Sequence, residues 1–263
     1  MAPATIPVTL ATIFPSLALA AVLARFIARR KKKMPLKLDD WVAVAALMVC
    51  IANGITLLVG ATHGNVGKQM PLDSHGAPIL TGKYRIFKKC VYAMEILTTV
   101  AIAIARFSIL LFYHRIFIGR LFEAWVWALY FLNGAWGIAY TVVFIFPCNP
   151  IHSFWEYAQG PTVQHCVPTH IYEVYAIASI VIDVLMLIIP WPQVLGMMMS
   201  KREKAAVLSI FGLGTFVIGV AIAKAHEFFN VVDILKNGHY LSYDEVAALY
   251  YSLLESCVAV VCA

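Results

Sequence analysis

The side chains best suited to chemistry lie inside apolar segments of the chain. Arg106 stands in the middle of "IAIARFSILLFYHRIF", residues 102–117. A charge deep in a membrane span costs about a few kcal/mol on insertion scales, and it usually faces the bundle interior with a partner. Four polar residues in this stretch and just before it are spaced by 4, 7 and 7 positions, which puts them on one helical face. They are Glu95, Thr99, Arg106 and Tyr113.

Two other apolar segments supply acids that could pair with this arginine. Asp183 lies in "SIVIDVLML", and Glu255 lies in "YSLLES" with Tyr251 one turn before it. We therefore predict a buried polar core in which Arg106 pairs with Asp183 or Glu255, directly or through water. Glu95 and Tyr251 complete the set of core or ligand candidates, and no catalytic residue is assigned. The alternative is an Arg106 side chain that snorkels to the membrane interface.

The composition indicates the elements that must position these residues. The chain has 263 residues, of which 62% are hydrophobic and 13% are charged, whereas a soluble domain carries roughly 25% charged residues. Runs of about 20 apolar residues predict membrane-spanning helices, and the alternating pattern of a β-barrel is missing. The predicted fold is an all-α, seven-helix bundle that forms one domain, residues 1–263. The predicted spans are about 7–27, 41–61, 90–113, 121–147, 171–195, 205–226 and 245–263.

The distribution of positive charge predicts the orientation of the bundle. The first 24 residues contain no Lys or Arg, and the segment "RFIARRKKKMPLK" follows them. This order disfavours a cleavable signal peptide and favours a translocated N-terminus. We expect the N-terminus outside and the C-terminus inside, with a net charge of +6 that suits anionic lipid. No basic patch interleaved with aromatic residues is present, so no nucleic-acid partner is expected.

Cysteines and histidines suggest a disulfide and no metal site. Cys148 and Cys166 bracket a predicted outer loop, and a bridge between them would stabilise the fold by roughly 3 kcal/mol on the chain-entropy model. Cys90, near the outer end of the third helix, is the competing partner. The eight histidines include no helical pair at the i, i+4 spacing of a zinc site, so we expect no bound metal.

Six stretches, taken together and in this order, resemble the fungal rhodopsin-domain family of seven-helix membrane proteins. They are "LDDW" (38–41), "GATHGNVGK" (60–68), "ARFSILLFYHRIF" (105–117), "CNPIHSFW" (148–155) with Cys166, "DVLMLIIPWPQVLGMMMSKREKAAVLSIFGLGTFV" (183–217) and "YSLLES" (251–256). The resemblance implies that Cys148 pairs with Cys166. Arg106 stands where the family usually has Lys, Tyr251 where it usually has Trp, and Lys224 near a usual Arg.

The resemblance also sets the expected function. A retinal pigment needs a lysine in the last helix, and residues 245–263 contain none, so no retinal cofactor is expected. Some family members resemble surface-sensing receptors, and others are encoded in secondary-metabolite gene clusters, which the short single-domain build fits better. The family continues with a cytosolic tail beyond the position that matches Ala263, which weighs against a signalling role.

We therefore expect a receptor-like or accessory multi-pass protein of the plasma membrane or an endomembrane, associated with fungal secondary metabolism. Its expected partners are the lipid bilayer, a small apolar metabolite and other membrane or pathway proteins. The alternatives are an intramembrane acid–base enzyme, such as a cyclase, and a transporter.

The orientation can be tested with epitope tags. A tag at the N-terminus should be reachable by antibody from outside the cell or from the lumen of the organelle. A tag in the 197–204 loop should be reachable only after the membrane is permeabilised, because the positive charges hold that loop inside. Detection of both tags on the same side would contradict the seven-helix topology.

Overall fold

Seven α-helices and one short hairpin make up the described part of the chain. The computed structural model describes residues 5–31, 33, 35, 37–64, 66, 81–116, 119–156, 165–168, 170–191, 201–236 and 244–263. The helices are α1 (Thr5–Lys31), α2 (Leu38–His63), α3 (Gly82–Ile116), α4 (Arg120–Ile145), α5 (His170–Ile188), α6 (Lys201–Lys236) and α7 (Asp244–Cys262). Between α4 and α5 lie β1 (Cys148–Asn149), a 3₁₀ helix (Ile151–Phe154) and β2 (His165–Cys166).

The helices have the length and polarity of membrane spans. Each of α1 to α6 contains a stretch long and apolar enough to cross a bilayer, and α7 contains the shorter apolar stretch Val246–Cys262. Large apolar side chains such as Leu121, Phe131 and Ile138 point outward, where a bilayer would cover them. The predicted all-α polytopic bundle is confirmed, and its orientation stays a prediction. Residues 192–195 of the predicted fifth span lie outside the described residues.

Helix α3 lies at the centre of the bundle. It packs against α2, α4 and α7, while α1 packs on α2 and α7, and α6 packs on α5 and α7. Lipid is as apolar as a leucine side chain, so helix association in a bilayer depends on close packing and interhelical hydrogen bonds. Such bonds join α3 to its neighbours; for example, Asn53 Nδ2 donates to Thr98 Oγ1 at 2.8 Å, and Asn133 Nδ2 donates to the Ala103 carbonyl at 3.0 Å.

The loop between α4 and α5 begins and ends at a disulfide. β1 pairs antiparallel with β2, with Cys148 opposite Cys166 and Asn149 opposite His165. The sulfur atoms of Cys148 and Cys166 are bonded, which confirms the predicted pair. Cys90, the competing partner, is a free and buried thiol. The bridge therefore joins the end of α4 to the segment that leads into α5.

A close contact between α1 and α2 depends on a glycine. Pro15 lies inside α1, so it provides no N–H for the carbonyl of Ala11 one turn earlier. α2 approaches at this level through Gly54, where an added Cβ would lie 2.7 Å from Pro15 Cγ and 3.1 Å from the Ala11 carbonyl oxygen. Any side chain at position 54 would therefore push the two helices apart.

Replacing this glycine tests the packing of α1. We expect Gly54→Ala to lower the free energy of unfolding by about 1–2 kcal/mol, because the overpacking strain exceeds the gain in helix propensity. Thermal unfolding of the purified protein in detergent would measure the change. The matched control is Gly212→Ala, because an added Cβ there meets no atom within 4 Å. Equal stability of the two variants would show that α1 and α2 separate without cost.

Candidate functional site

Arg106 lies in the bundle interior and binds Asp183. Its side chain is 2% exposed. Nε donates to Asp183 Oδ1 at 2.9 Å, and Nη2 donates to Oδ2 at 2.8 Å, so the contact is bidentate. Nη2 also donates to the Ser179 hydroxyl at 2.6 Å and to the Ser179 carbonyl at 3.0 Å. The guanidinium carbon lies 4.7 Å from the centroid of the Trp136 ring. This arginine therefore does not snorkel, and it joins α3 to α4 and α5.

A second buried ion pair joins α6 to α7. Lys224 Nζ lies 2.9 Å from Glu255 Oε2, and these side chains are 3% and 2% exposed. The same ammonium group lies 5.1 Å from the Tyr175 ring centroid and 5.6 Å from the Phe228 ring centroid. Such cation–π contacts add to the attraction when the charge is removed from water. Lys224 is thus neutralised by a carboxylate and enclosed by aromatic rings.

Serine and tyrosine hydroxyls connect the two ion pairs with the N-terminal half of α3. Ser179 Oγ lies 3.5 Å from Glu255 Oε1, which links the Arg106 pair to the Lys224 pair. The hydroxyls of Tyr175 and Thr99 are 3.1 Å apart, and Thr99 donates to the Glu95 carbonyl at 2.9 Å. We call this set the polar core. Its members are Glu95, Thr99, Arg106, Tyr175, Ser179, Asp183, Lys224 and Glu255.

The structure brings together most of the residues that the sequence nominated. Arg106 binds Asp183 and not Glu255, although both acids lie in the same network. Glu95 is buried on the same stripe of α3, one turn before Thr99. Tyr251 is only half-buried and takes no part in the polar core.

Sequence reasoning missed Lys224 as the partner of Glu255. The available signal was the same one that singled out Arg106, namely a basic residue within a long apolar segment. It also missed the aromatic residues around the two cations, because nothing in their spacing shows which helix they face. The expectation that the chain carries no retinal stays a prediction. In the part of the chain that the structure describes, no group of three His, Cys, Asp or Glu side chains could hold a metal ion.

The space beside the polar core is small. A cavity of about 60 Å³ adjoins Arg106 and Asp183, and it is also lined by Tyr113, Gly214 and Cys262. A cavity of this size accommodates a few water molecules and no organic substrate. The charged side chains beside this cavity, Arg106 and Asp183, bind each other.

A much larger space lies on the other side of α3 and opens toward the position of lipid. This groove between α2, α3 and α4 has a volume of about 710 Å³. Its lining residues are Leu38, Val42, Ile104, Phe107, Leu111, His114, Trp127 and Tyr130. The rings of Phe107 and Tyr130 stack with centroids 5.8 Å apart, and Trp127 lies 5.6 Å from Tyr130. Among the residues that the structure describes, the buried hydroxyl of Tyr130 has no hydrogen-bond partner.

A second ionic cluster lies at the end of the bundle where α1 ends and α2 begins. Asp39 and Asp40 both contact Arg25 and Arg29, and the Arg115 guanidinium lies 3.9 Å from Asp39. The sequence motif "LDDW" marks this cluster. Asp40 also accepts the Lys37 backbone N–H at 3.0 Å, which caps α2. Asp40 therefore caps α2, and the two carboxylates together tie this helix to α1 and α3.

Comparison with known proteins places the chain among fungal membrane proteins. A family profile described as "Fungal rhodopsin domain" matches residues 24–263. "Polyenoic acids biosynthesis gene cluster protein Ba17b" of Metarhizium anisopliae is 27% identical over 209 residues, covering 77% of this chain and 54% of that protein. "Phomoidride biosynthesis cluster protein H" of Fungal sp. (strain ATCC 74256) is 28% identical over 166 residues, covering 55% of this chain and 59% of that protein.

A third relative carries a name that states its location. "SAT4 family membrane protein" of Emericella nidulans is 28% identical over 201 residues, which cover 74% of this chain and 49% of that protein. The chain thus spans about half the length of the curated relatives it matches. No solved structure matches this chain.

The Arg106–Asp183 pair can be measured with a double-mutant cycle. We expect Arg106→Leu or Asp183→Leu alone to lower the free energy of unfolding by about 3–5 kcal/mol, because each leaves an uncompensated buried charge. The double variant should recover most of this loss, since both charges are then absent. Unfolding of the purified protein in mixed detergent micelles would give the four values.

The control for this cycle is Arg120→Leu, because Arg120 is exposed at the start of α4. It removes the same charge and should change stability by less than about 0.5 kcal/mol. Single variants as stable as the wild type, or losses that simply add in the double variant, would show that the pair does not hold the bundle together.

Proposed function

The chain belongs to the fungal rhodopsin domain family, and we propose that it is a receptor-like or accessory membrane protein of secondary metabolism that binds a small apolar metabolite. Two of its relatives are named as proteins of biosynthesis clusters, one for phomoidride and one for polyenoic acids. The long apolar helices require a bilayer environment. A metabolite that partitions into that bilayer would reach the protein from its lipid-facing side.

The groove between α2, α3 and α4 is the observation that carries this proposal. Its volume of about 710 Å³ falls within the range of roughly 300–1,000 Å³ that is usual for small-molecule sites. Its walls are almost entirely apolar, and four of the lining residues have aromatic rings. The groove therefore offers apolar and aromatic contacts to a ligand that enters from lipid.

The polar core supports a structural role better than a catalytic one. An acid–base enzyme needs a carboxyl group that can exchange a proton with a substrate. Asp183 and Glu255 are instead bound to Arg106 and Lys224, and the cavity beside Asp183 is about 60 Å³. The core fixes α3, and α3 presents Ile104 and Phe107 to the groove on either side of Arg106. We therefore assign binding to the groove and rigidity to the core.

Photoaffinity labelling tests the groove directly. The protein in phosphatidylcholine nanodiscs would be irradiated with a long-chain alcohol that carries a diazirine, and labelled peptides would be mapped by mass spectrometry. We expect labels on the α3 and α4 walls and expect Val42→Phe to remove most of them, because the larger ring fills the groove. The matched control is Met48→Phe, which adds a ring to an exposed position of α2 outside the groove.

Equal labelling of wild type and both variants would contradict the site.

Gene deletion with metabolite profiling would separate the binding role from the enzymatic one. An accumulated intermediate that membranes carrying this protein alone convert would favour an intramembrane enzyme.

A further inference from the structure

The guanidinium group of Arg106 has donors that its protein partners do not use. A guanidinium group carries five N–H donors. Nε and Nη2 donate to the Asp183 carboxylate, and Nη2 also donates to Ser179. Among the residues that the structure describes, none accepts a hydrogen bond from Nη1, although this atom is buried. Buried donors in folded proteins are nearly always satisfied by a protein group or by an ordered water. A further acceptor is therefore expected beside Nη1.

The cavity of about 60 Å³ adjoins this guanidinium group. Side chains of α3, α5, α6 and α7 line it. Its α3 wall consists of Arg106, Ile109 and Tyr113, whose spacings of 3 and 4 residues place them on one face of the helix. From Arg106 to Tyr113 the helix rises by about 10 Å at 1.5 Å per residue. The cavity therefore extends from the polar core toward the C-terminal end of α3.

The carboxylate of Asp183 provides acceptors at the same cavity. Its side chain is 11% exposed, against 2% for Arg106, and 3% and 2% for Lys224 and Glu255. Asp183 lines the cavity, whereas the Lys224 ammonium group faces the rings of Tyr175 and Phe228. Each carboxylate oxygen has two lone pairs, and the bidentate contact with Arg106 uses one on each. The remaining lone pairs are available to a donor in the cavity.

Charge and size restrict what this cavity can hold. Arg106 and Asp183 neutralise each other, so an added ion would bring an unbalanced charge into the bundle interior. A hydrocarbon chain could not accept a hydrogen bond from Nη1. Organic ligands usually occupy sites of roughly 300–1,000 Å³, which is well above the volume of this cavity. Water is small and neutral, and it both donates and accepts hydrogen bonds.

We propose that the Arg106–Asp183 pair is a water-binding site within the membrane-spanning bundle. Water molecules in the cavity accept hydrogen bonds from Arg106 Nη1 and donate to the free lone pairs of Asp183. They complete the hydrogen bonding of a charge that the protein groups satisfy only on one side. Ordered water that bonds otherwise unsatisfied buried groups is costly to remove. This inference is independent of the proposed function, because the groove lies on the other side of α3.

Hydroxyl-radical footprinting of the full chain in detergent tests this site. X-ray radiolysis of water produces the radicals, which oxidise side chains that contact water, and mass spectrometry measures the oxidation rate of each methionine. Met186 lines the cavity and is 5% exposed, Met94 is 0% exposed, and Met48 is exposed on the lipid-facing side of α2. We expect Met186 to oxidise at least about fivefold faster than Met94 and Met48, because water contacts only Met186.

Two variants show whether the ion pair holds this water. Arg106→Leu combined with Asp183→Leu leaves an apolar cavity, which should be dry, so the oxidation of Met186 should fall to the rate of Met94. Ala259→Val fills part of the cavity without changing the pair, and it should slow the oxidation of Met186 at least about threefold by displacing water. Its matched control is Ala45→Val, which adds the same two carbons at an exposed position of α2.

Two results would overturn the proposal. Oxidation of Met186 in the wild type that is as slow as that of Met94 would show that the cavity is dry. Fast oxidation of Met186 that persists in both the double variant and Ala259→Val would show that the radicals come from bulk solvent and not from water held by the pair. Ala259→Val keeps the test decisive if the double variant does not fold.

Discussion

The bidentate contact between Arg106 and Asp183 is the constraint on which the rest of the bundle depends. A guanidinium group cannot lose its charge. A membrane helix that contains one must therefore either pack against a helix that supplies a carboxylate or place the guanidinium at the membrane interface. Here α5 supplies Asp183, and the backbone and hydroxyl of Ser179 complete the shell. This requirement fixes the rotation of α3 and the position of α5 against it. The Lys224–Glu255 pair imposes the same requirement on α6 and α7.

The central position of α3 follows from the number of polar ties it makes. Thr98 binds Asn53 on α2, the Ala103 carbonyl accepts a bond from Asn133 on α4, and Ser108 donates to the Asp39 carbonyl at 2.9 Å. Apolar surface alone does not select one helix arrangement in lipid, because lipid covers it equally well. Directional hydrogen bonds and ion pairs do select one, since an unsatisfied polar group in hydrocarbon costs several kcal/mol. The helix with the most such groups therefore becomes the one that its neighbours surround.

This arrangement separates the polar core from the groove that we propose as the binding site. One face of α3 carries the polar core, and another carries the wall of the groove, with Arg106 and Phe107 adjacent in sequence. The core leaves little free space, whereas the groove is large, apolar and open toward lipid. The match to the fungal rhodopsin domain family is therefore a statement about the bundle, and the proposed ligand depends on the groove.

The sequence by itself determined the environment, the helices and much of the polar core. Composition and apolar run lengths specify a membrane bundle, because backbone groups in lipid must bond within helices. A charge within an apolar segment marks Arg106, Asp183 and Glu255 as candidates for a buried core, since a charge in lipid needs either a partner or a route to the interface. The choice of Asp183 as the partner of Arg106 came only from the tertiary structure, as did the pairing of Lys224 with Glu255. Only the tertiary structure also showed that Tyr251 lies outside the polar core. Helical periodicity shows which residues share one face of a helix, but it does not show which neighbouring helix packs against that face. Residue pairs between helices, and a groove formed by three helices, are therefore defined only by the packed structure.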